Sequence, residues 1–157
     1  MNFRSLCVIS AMLFLAACQS SPQSGANAGG TAASTSAAAP GSREDFVQNV
    51  GDRVFFDFDK SNIKPEGEQT LQRQAAWLKK YSSVKVTVEG HCDDRGTREY
   101  NLALGARRAN AVKRALVALG IDANRITTIS YGKERPAVVG DNEAAWAQNR
   151  RGVTVVQ

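Results

Sequence analysis

Gly90-His91-Cys92-Asp93-Asp94-Arg95-Gly96-Thr97-Arg98-Glu99-Tyr100-Asn101-Leu102-Ala103-Leu104-Gly105-Ala106-Arg107-Arg108 decides how this chain is read. Upstream, Val84-Lys85-Val86-Thr87-Val88-Glu89 alternates apolar and polar residues at period two, the pattern of a half-buried strand. Downstream, Thr97 stands where a helix cap belongs, and the helical pattern runs to about Leu119 with Gly120 as its stop. The stretch therefore joins a strand to a long helix through a short polar loop.

Helical spacing turns its second half into a surface. Thr97, Asn101, Leu104 and Arg108 recur at steps of four, three and four, so they fall on one stripe. Asp93 sits in the loop just before that stripe. A guanidinium grips a carboxylate in bidentate fashion, and a carboxylate receives an ammonium. Asp93 with Arg108 thus complements a ligand carrying both charges, with Asn101 to donate and accept and Leu104 to flank an alkyl part. The spacing alone is equally compatible with a structural ion pair between Asp93 and Arg108, and with Asn101 only bracing the loop. Arg107 lies about 100° off the stripe and reads as a surface contact.

Working outward, Arg53 to Asp59 reads as an aromatic-rich strand, with Phe55, Phe56 and Phe58 mostly core and Phe58 at its end. Pro65 suits a first helical position; Leu71, Ala75 and Leu78 supply an apolar face, and Lys79-Lys80 suit the C-terminus. Ile126 to Tyr131 is a further strand, Gly132 to Pro136 a turn, Asn142 to Gln148 a short helix, and Val153 to Val156 a closing strand. Arg150-Arg151 reads as a solvated turn or a partner contact. The order predicts an α+β fold with helices on one side of a small mixed sheet.

The N-terminus has a different character. Arg4 is the single charge among the first 42 residues, and an apolar run from Leu6 to Ala17 is too short to span a bilayer, so residues 1–17 read as a secretory signal. Leu15-Ala16-Ala17-Cys18 resembles the lipobox of bacterial lipoproteins, in which the cysteine is acylated and becomes the mature N-terminus; an ordinary signal with an incidental cysteine is the plainer reading. Gln19, in place of aspartate, resembles the outer-membrane sorting pattern. Residues 18–42 then form an uncharged Ala/Ser/Gly-rich tether after the lipidated Cys18, and 43–157 one domain. A flexible chain of about 24 residues spans roughly 25–30 Å.

Charge and cysteine usage narrow the classes. Of 20 basic residues only Arg4 precedes the domain, leaving 19 against 15 acidic, or +4. An exported, anchored domain meets an anionic wall polymer or a protein rather than nucleic acid. The chain has three cysteines, of which Cys7 leaves with the signal and Cys18 takes lipid, so Cys92 has no partner and is either buried or reactive. With one histidine, and with His91, Cys92, Asp93 and Asp94 alternating in direction, neither a metal centre nor a Cys–His nucleophile is expected. Asp57 and Asp59 lie two apart on one strand, unlike carboxylates that flank a scissile bond. The chain is read as a binder without cofactor, not an enzyme.

Gly90-His91-Cys92-Asp93, Arg95-Gly96-Thr97 and Tyr100-Asn101-Leu102-Ala103-Leu104-Gly105, with Tyr131 to Pro136 and Asn149-Arg150-Arg151, resemble the OmpA-like peptidoglycan-binding family, most closely its lipoprotein branch. The match covers most of residues 50–157; Asp94 stands where the family more often has glutamate. The resemblance implies a β-α-β-α-β-β sandwich whose Asp93 and Arg108 hold the diaminopimelate of the peptidoglycan stem peptide, with Phe58, Asp59, Thr97, Asn101 and Leu104 contributing. It also implies an outer-membrane lipoprotein facing the periplasm, tying that membrane to the wall at division within the Tol–Pal system, with TolB and other Tol components as partners. A wall-anchoring lipoprotein outside that system and a wall-cleaving enzyme are the competing readings. Replacing Asp93 or Arg108 by alanine is expected to abolish wall binding and leave the fold intact.

Overall fold

The computed structural model describes residues 38–157; the expected signal, the lipidation site Cys18 and most of the tether lie outside the described residues. The chain runs α1 (Arg43–Asp45), a π-helical turn (Phe46–Val50), β1 (Arg53–Phe55), α2 (Pro65–Lys80), β2 (Val86–His91), α3 (Arg98–Ala118), a 3-10 turn (Ala123–Arg125), β3 (Ile126–Gly132), α4 (Glu143–Asn149) and β4 (Arg151–Val156). The strands form one sheet in the order β1-β4-β2-β3, in which β2 and β3 are parallel and the other pairs antiparallel. The α+β architecture with a mixed sheet is the one the sequence leads to.

Alternation explains which face is covered. Val54, Val86 and Val88 turn to the helices and join Leu71, Leu78, Val112, Leu116 and Ile126 in the core. α2 opens on Pro65 and carries Glu66 and Glu68 in its first turn and Lys79 and Lys80 in its last, each sign at the favourable end of its dipole. α3 begins at Thr97, whose hydroxyl accepts from Tyr100 N, and Gly120 just beyond it takes φ +90°. Among the described residues no helix is long and apolar enough to cross a membrane.

Several details differ from expectation. The sequence pattern missed the first turns, where Phe46 is fully buried against Trp77 and Trp77 Nε1 donates to Asp45 Oδ2 at 2.9 Å. Chain contacts begin before residue 43, since Ser42 N donates to Ala39 O. β1 stops at Phe55 because the backbone turns at Asp57–Lys60, closed by Lys60 N donating to Asp57 O, with Asp59 in the left-handed region at φ +55°. Only Phe56 of the three phenylalanines is core; Phe55 and Phe58 are 45% and 56% exposed. β2 begins two residues later than expected because Val84 is bound in a turn to Tyr81, and it extends to His91.

Candidate functional site

Two glycines bring the signature stretch together. A Cβ on Gly90 would lie 1.8 Å from the Gly105 carbonyl oxygen, so α3 rests directly on the end of β2 with no side chain between. That contact sets the start of α3 beside the loop that follows β2. A cleft of about 160 Å³ opens there, lined by Phe58, Asp59, Asp93, Arg95, Gly96, Tyr100, Asn101, Leu104 and Arg108. Six of the seven residues expected at a site line it; the seventh, Thr97, caps α3 instead. A wider groove of about 420 Å³ runs beside it between Arg98, Leu102 and Tyr131, but its charged residues are exposed. The smaller cleft holds the preorganised charges.

Asp93 and Arg108 do not pair with each other among the described residues. Asp93 is 4% exposed, and its Oδ2 accepts from Arg95 Nη2 at 2.6 Å and Arg150 Nη1 at 3.2 Å. Burial alone raises its carboxyl pKa, but the hydrogen bonds from the two arginines outweigh it and hold the group below the usual carboxylate range. Both contacts fall on one oxygen, which leaves Oδ1 for a further donor. Arg108 is 1% exposed and ties three carbonyls: Nε donates to Lys60 O at 2.8 Å, Nη1 to His91 O at 2.8 Å and Nη2 to Asp57 O at 3.1 Å. A guanidinium has five N–H groups, so these bonds do not exhaust it. Burial pulls its pKa below the ordinary arginine value.

Asn101 Nδ2 donates to Arg95 O at 2.7 Å and Thr97 O at 3.0 Å, so it braces the loop while lining the cleft. Leu104 is nearly buried and supplies an apolar wall. Phe58 and Asp59 occupy the corner of the turn after β1, where Asp59 accepts from the Tyr100 hydroxyl. Cys92 is packed away with its thiol toward Asn101 O at 3.3 Å, and burial pushes its pKa up. The structure thus gives the buried alternative for this thiol.

Residues 55–150 match the OmpA family, well over half of the chain. Relatives include the peptidoglycan-associated lipoprotein of Rhizobium meliloti (strain 1021), 54% identical over 144 residues, covering 92% of this chain and 82% of that one. That of Haemophilus influenzae (strain ATCC 51907 / DSM 11121 / KW20 / Rd) is 46% identical over 150 residues, 96% of this chain and 95% of its own. The chain belongs to the OmpA family, among its peptidoglycan-associated lipoproteins. Among solved structures, the peptidoglycan-associated lipoprotein from Burkholderia pseudomallei superposes with TM-score 0.69 at 40% identity, over 74% of this chain and 100% of that one. The C-terminal domain of Helicobacter pylori MotB shares the fold, with TM-score 0.63 at 24% identity over 68% of this chain and 84% of that one. The family is non-enzymatic.

Sequence reasoning missed part of this OmpA-family cleft. Arg95 stacks between Phe58 and Trp146, 4.0 and 4.1 Å from the ring centroids, and roofs Asp93. Arg150 is not a solvated turn residue: it is 6% exposed and bonds Phe56 O, Asp93 and Glu143. Arg151 is likewise buried, its Nη2 donating to Arg135 O at 3.2 Å. A buried arginine needs partners, and those partners are distant in the chain, so spacing carries no trace of them. Arg95 was visible as the first residue of the Arg95-Gly96-Thr97 segment, but nothing in the spacing assigned it a partner.

Proposed function

We propose that this protein is an outer-membrane lipoprotein that holds diaminopimelate-type peptidoglycan, without covalent attachment, in the cleft between the β2–α3 loop and the turn after β1. The observation that carries the reading is the juxtaposition there of a buried carboxylate with a free oxygen, Asp93, and a buried guanidinium, Arg108, above an apolar wall at Leu104. One end of a diaminopimelate side chain offers an ammonium and a carboxylate to that pair, and its methylenes suit Leu104. Phe58, Asp59, Asn101 and Thr97 shape or frame the same space. Lipid on Cys18 fixes the chain to the outer membrane with the domain facing the periplasm. The peptidoglycan-associated lipoprotein relatives support the wall ligand and the anchor. The same kinship supports membership of the Tol–Pal system, with TolB and other Tol components as partners and a role in constriction at division. Anchoring near a repeating polymer raises effective concentration, so weak single sites suffice.

The test is co-sedimentation with diaminopimelate-type sacculi, comparing wild type with Asp93→Ala. The variant should lose about 2–5 kcal/mol of binding, the cost of leaving a buried ligand charge unpaired. Binding that survives the substitution would remove Asp93 from the site. Copurification of TolB tests the Tol assignment separately, and membrane fractionation of Cys18→Ser tests the anchor.

A further inference from the structure

The loop that carries Asp93 has no hydrogen-bonded ladder of its own between Cys92, whose N–H donates to Gly132 O, and Thr97, where α3 begins. Its four successive carbonyls are nevertheless all engaged, and they alternate between two side chains. Lys133 Nζ takes Asp94 O at 3.0 Å and Gly96 O at 2.7 Å. Asn101 Nδ2 takes Arg95 O at 2.7 Å and Thr97 O at 3.0 Å. The loop is gripped from both sides, by α3 on one and by the end of β3 on the other. Lys133 does not line the cleft, and its base is fixed because the adjacent Gly132 carbonyl receives Cys92 N.

We infer that Lys133 is a positioning residue for the ligand cleft: its ammonium holds the 94–97 backbone so that Asp93 and Arg95 on one side and Asn101 on the other keep the spacing the ligand needs. This rests on the reading of the cleft as the wall-binding site. A charged donor shared by two carbonyls makes stronger bonds than a neutral one, and the ammonium's third N–H stays free for water. Without it the two carbonyls face solvent at no great cost, because Lys133 is only half-buried and Asp94 is exposed. The fold survives; the aim of the loop does not.

Full-length protein purified in detergent tests this with sacculus binding and with hydrogen exchange of the 94–97 amides. Lys133→Met should weaken sacculus binding roughly tenfold, the scale of one or two lost charge-assisted bonds, and accelerate exchange in the loop but not in β2 or β3. Lys133→Arg, able to reach two carbonyls, should restore most of both. Arg98→Met removes a neighbouring exposed charge that bonds Glu134 instead, and should bind as wild type. Equal losses in Lys133→Met and Arg98→Met, with loop exchange unchanged, would assign the effect to bulk charge and overturn the inference. Wild-type binding and exchange in Lys133→Met would overturn it directly. Asp93→Ala run alongside separates the two levels: its retained binding sinks the cleft reading, while the exchange data still decide whether Lys133 holds the loop.

Discussion

Two arginines do the same structural job at opposite ends of β2, and of the two it is Arg108 that lines the ligand cleft. Arg108 joins the carbonyls of Asp57, Lys60 and His91, and it is buried. Arg125 joins those of Leu78, Tyr81 and Val84, and it is half open to water. Each gathers chain ends that regular structure leaves unpaired. Arg125 closes the end of α2 against the turn before β2, where solvent could serve nearly as well. Arg108 does so in a place where the neighbouring charge, Asp93, is also buried. Burying a charge is costly unless it is fully bonded. A site that holds two opposite charges out of water, each satisfied by third parties rather than by the other, keeps both available to a ligand.

The sharpest way to break the contrast is to remove the seam that delivers Arg108. Gly90→Ala sets a methyl 1.8 Å from the Gly105 carbonyl oxygen, and backbone on both sides must move. Overpacking of this kind costs upwards of about 3 kcal/mol, and thermal denaturation should show a large drop in Tm or no folded protein. Next comes Arg108→Met. Three carbonyls lose a donor, although that of Asp57 keeps Lys60 N, for about 3–4 kcal/mol in urea denaturation; this side chain is structural as well, and its replacement should weaken the fold besides the cleft. Asp93→Ala is therefore the cleaner probe of binding.

Acid should loosen the same end first. Burial, then the Arg151 charge, lowers the His91 imidazole from its ordinary 6.5 to about 4; the Arg135 backbone opposes this, the Arg135 and Arg53 charges add to it, and Glu89 Oε2 lies 3.4 Å away. The unfolded chain takes a proton near pH 6.5 that the fold refuses until about pH 4. Stability is therefore whole above 6.5 and is lost progressively between 6.5 and 4, on the order of 3 kcal/mol in all. Asp93 adds its own loss only below the ordinary carboxylate value, as pH falls through its lowered pKa. His91→Gln should flatten the first limb in denaturant titrations across this range. Smallest is Arg125→Met, about 1 kcal/mol, because water reaches the carbonyls it leaves. A cost near that of Arg108→Met would erase the difference between the two arginines.

Much of the chain was legible where the deciding forces are local. Thr97 and Gly120 bounded α3 to within a residue, and Pro65 with the late lysines bounded α2. The period-two run gave β2 its inward face, though not its ends, which depend on pairing with β3 and β4. The stripe of Asn101, Leu104 and Arg108 was readable from helical spacing, and all three line one cleft. What spacing hid were the partners. Arg108 looked like a match for Asp93, yet its bonds go to carbonyls 17 to 51 residues away. Arg150 and Lys133 act on the β2–α3 loop from 57 and 37 to 39 residues off, and no periodicity encodes such distances. Phe55 and Phe58 misled because aromatic content suggests burial, whereas alternation and the early turn expose both.

The Arg108 bonds also bear on how the domain carries load. β1, the first strand along the chain, is an edge strand joined to β4 by only three residue pairs, whereas β2 lies between two neighbours and leads straight into the cleft. Tension applied between the N-terminal side of the domain and a ligand in the cleft would fall first on that short seam. Arg108 bridges it in one step, from the turn just after β1 to the last residue of β2. The guanidinium is a rivet across the line along which the sheet would otherwise peel.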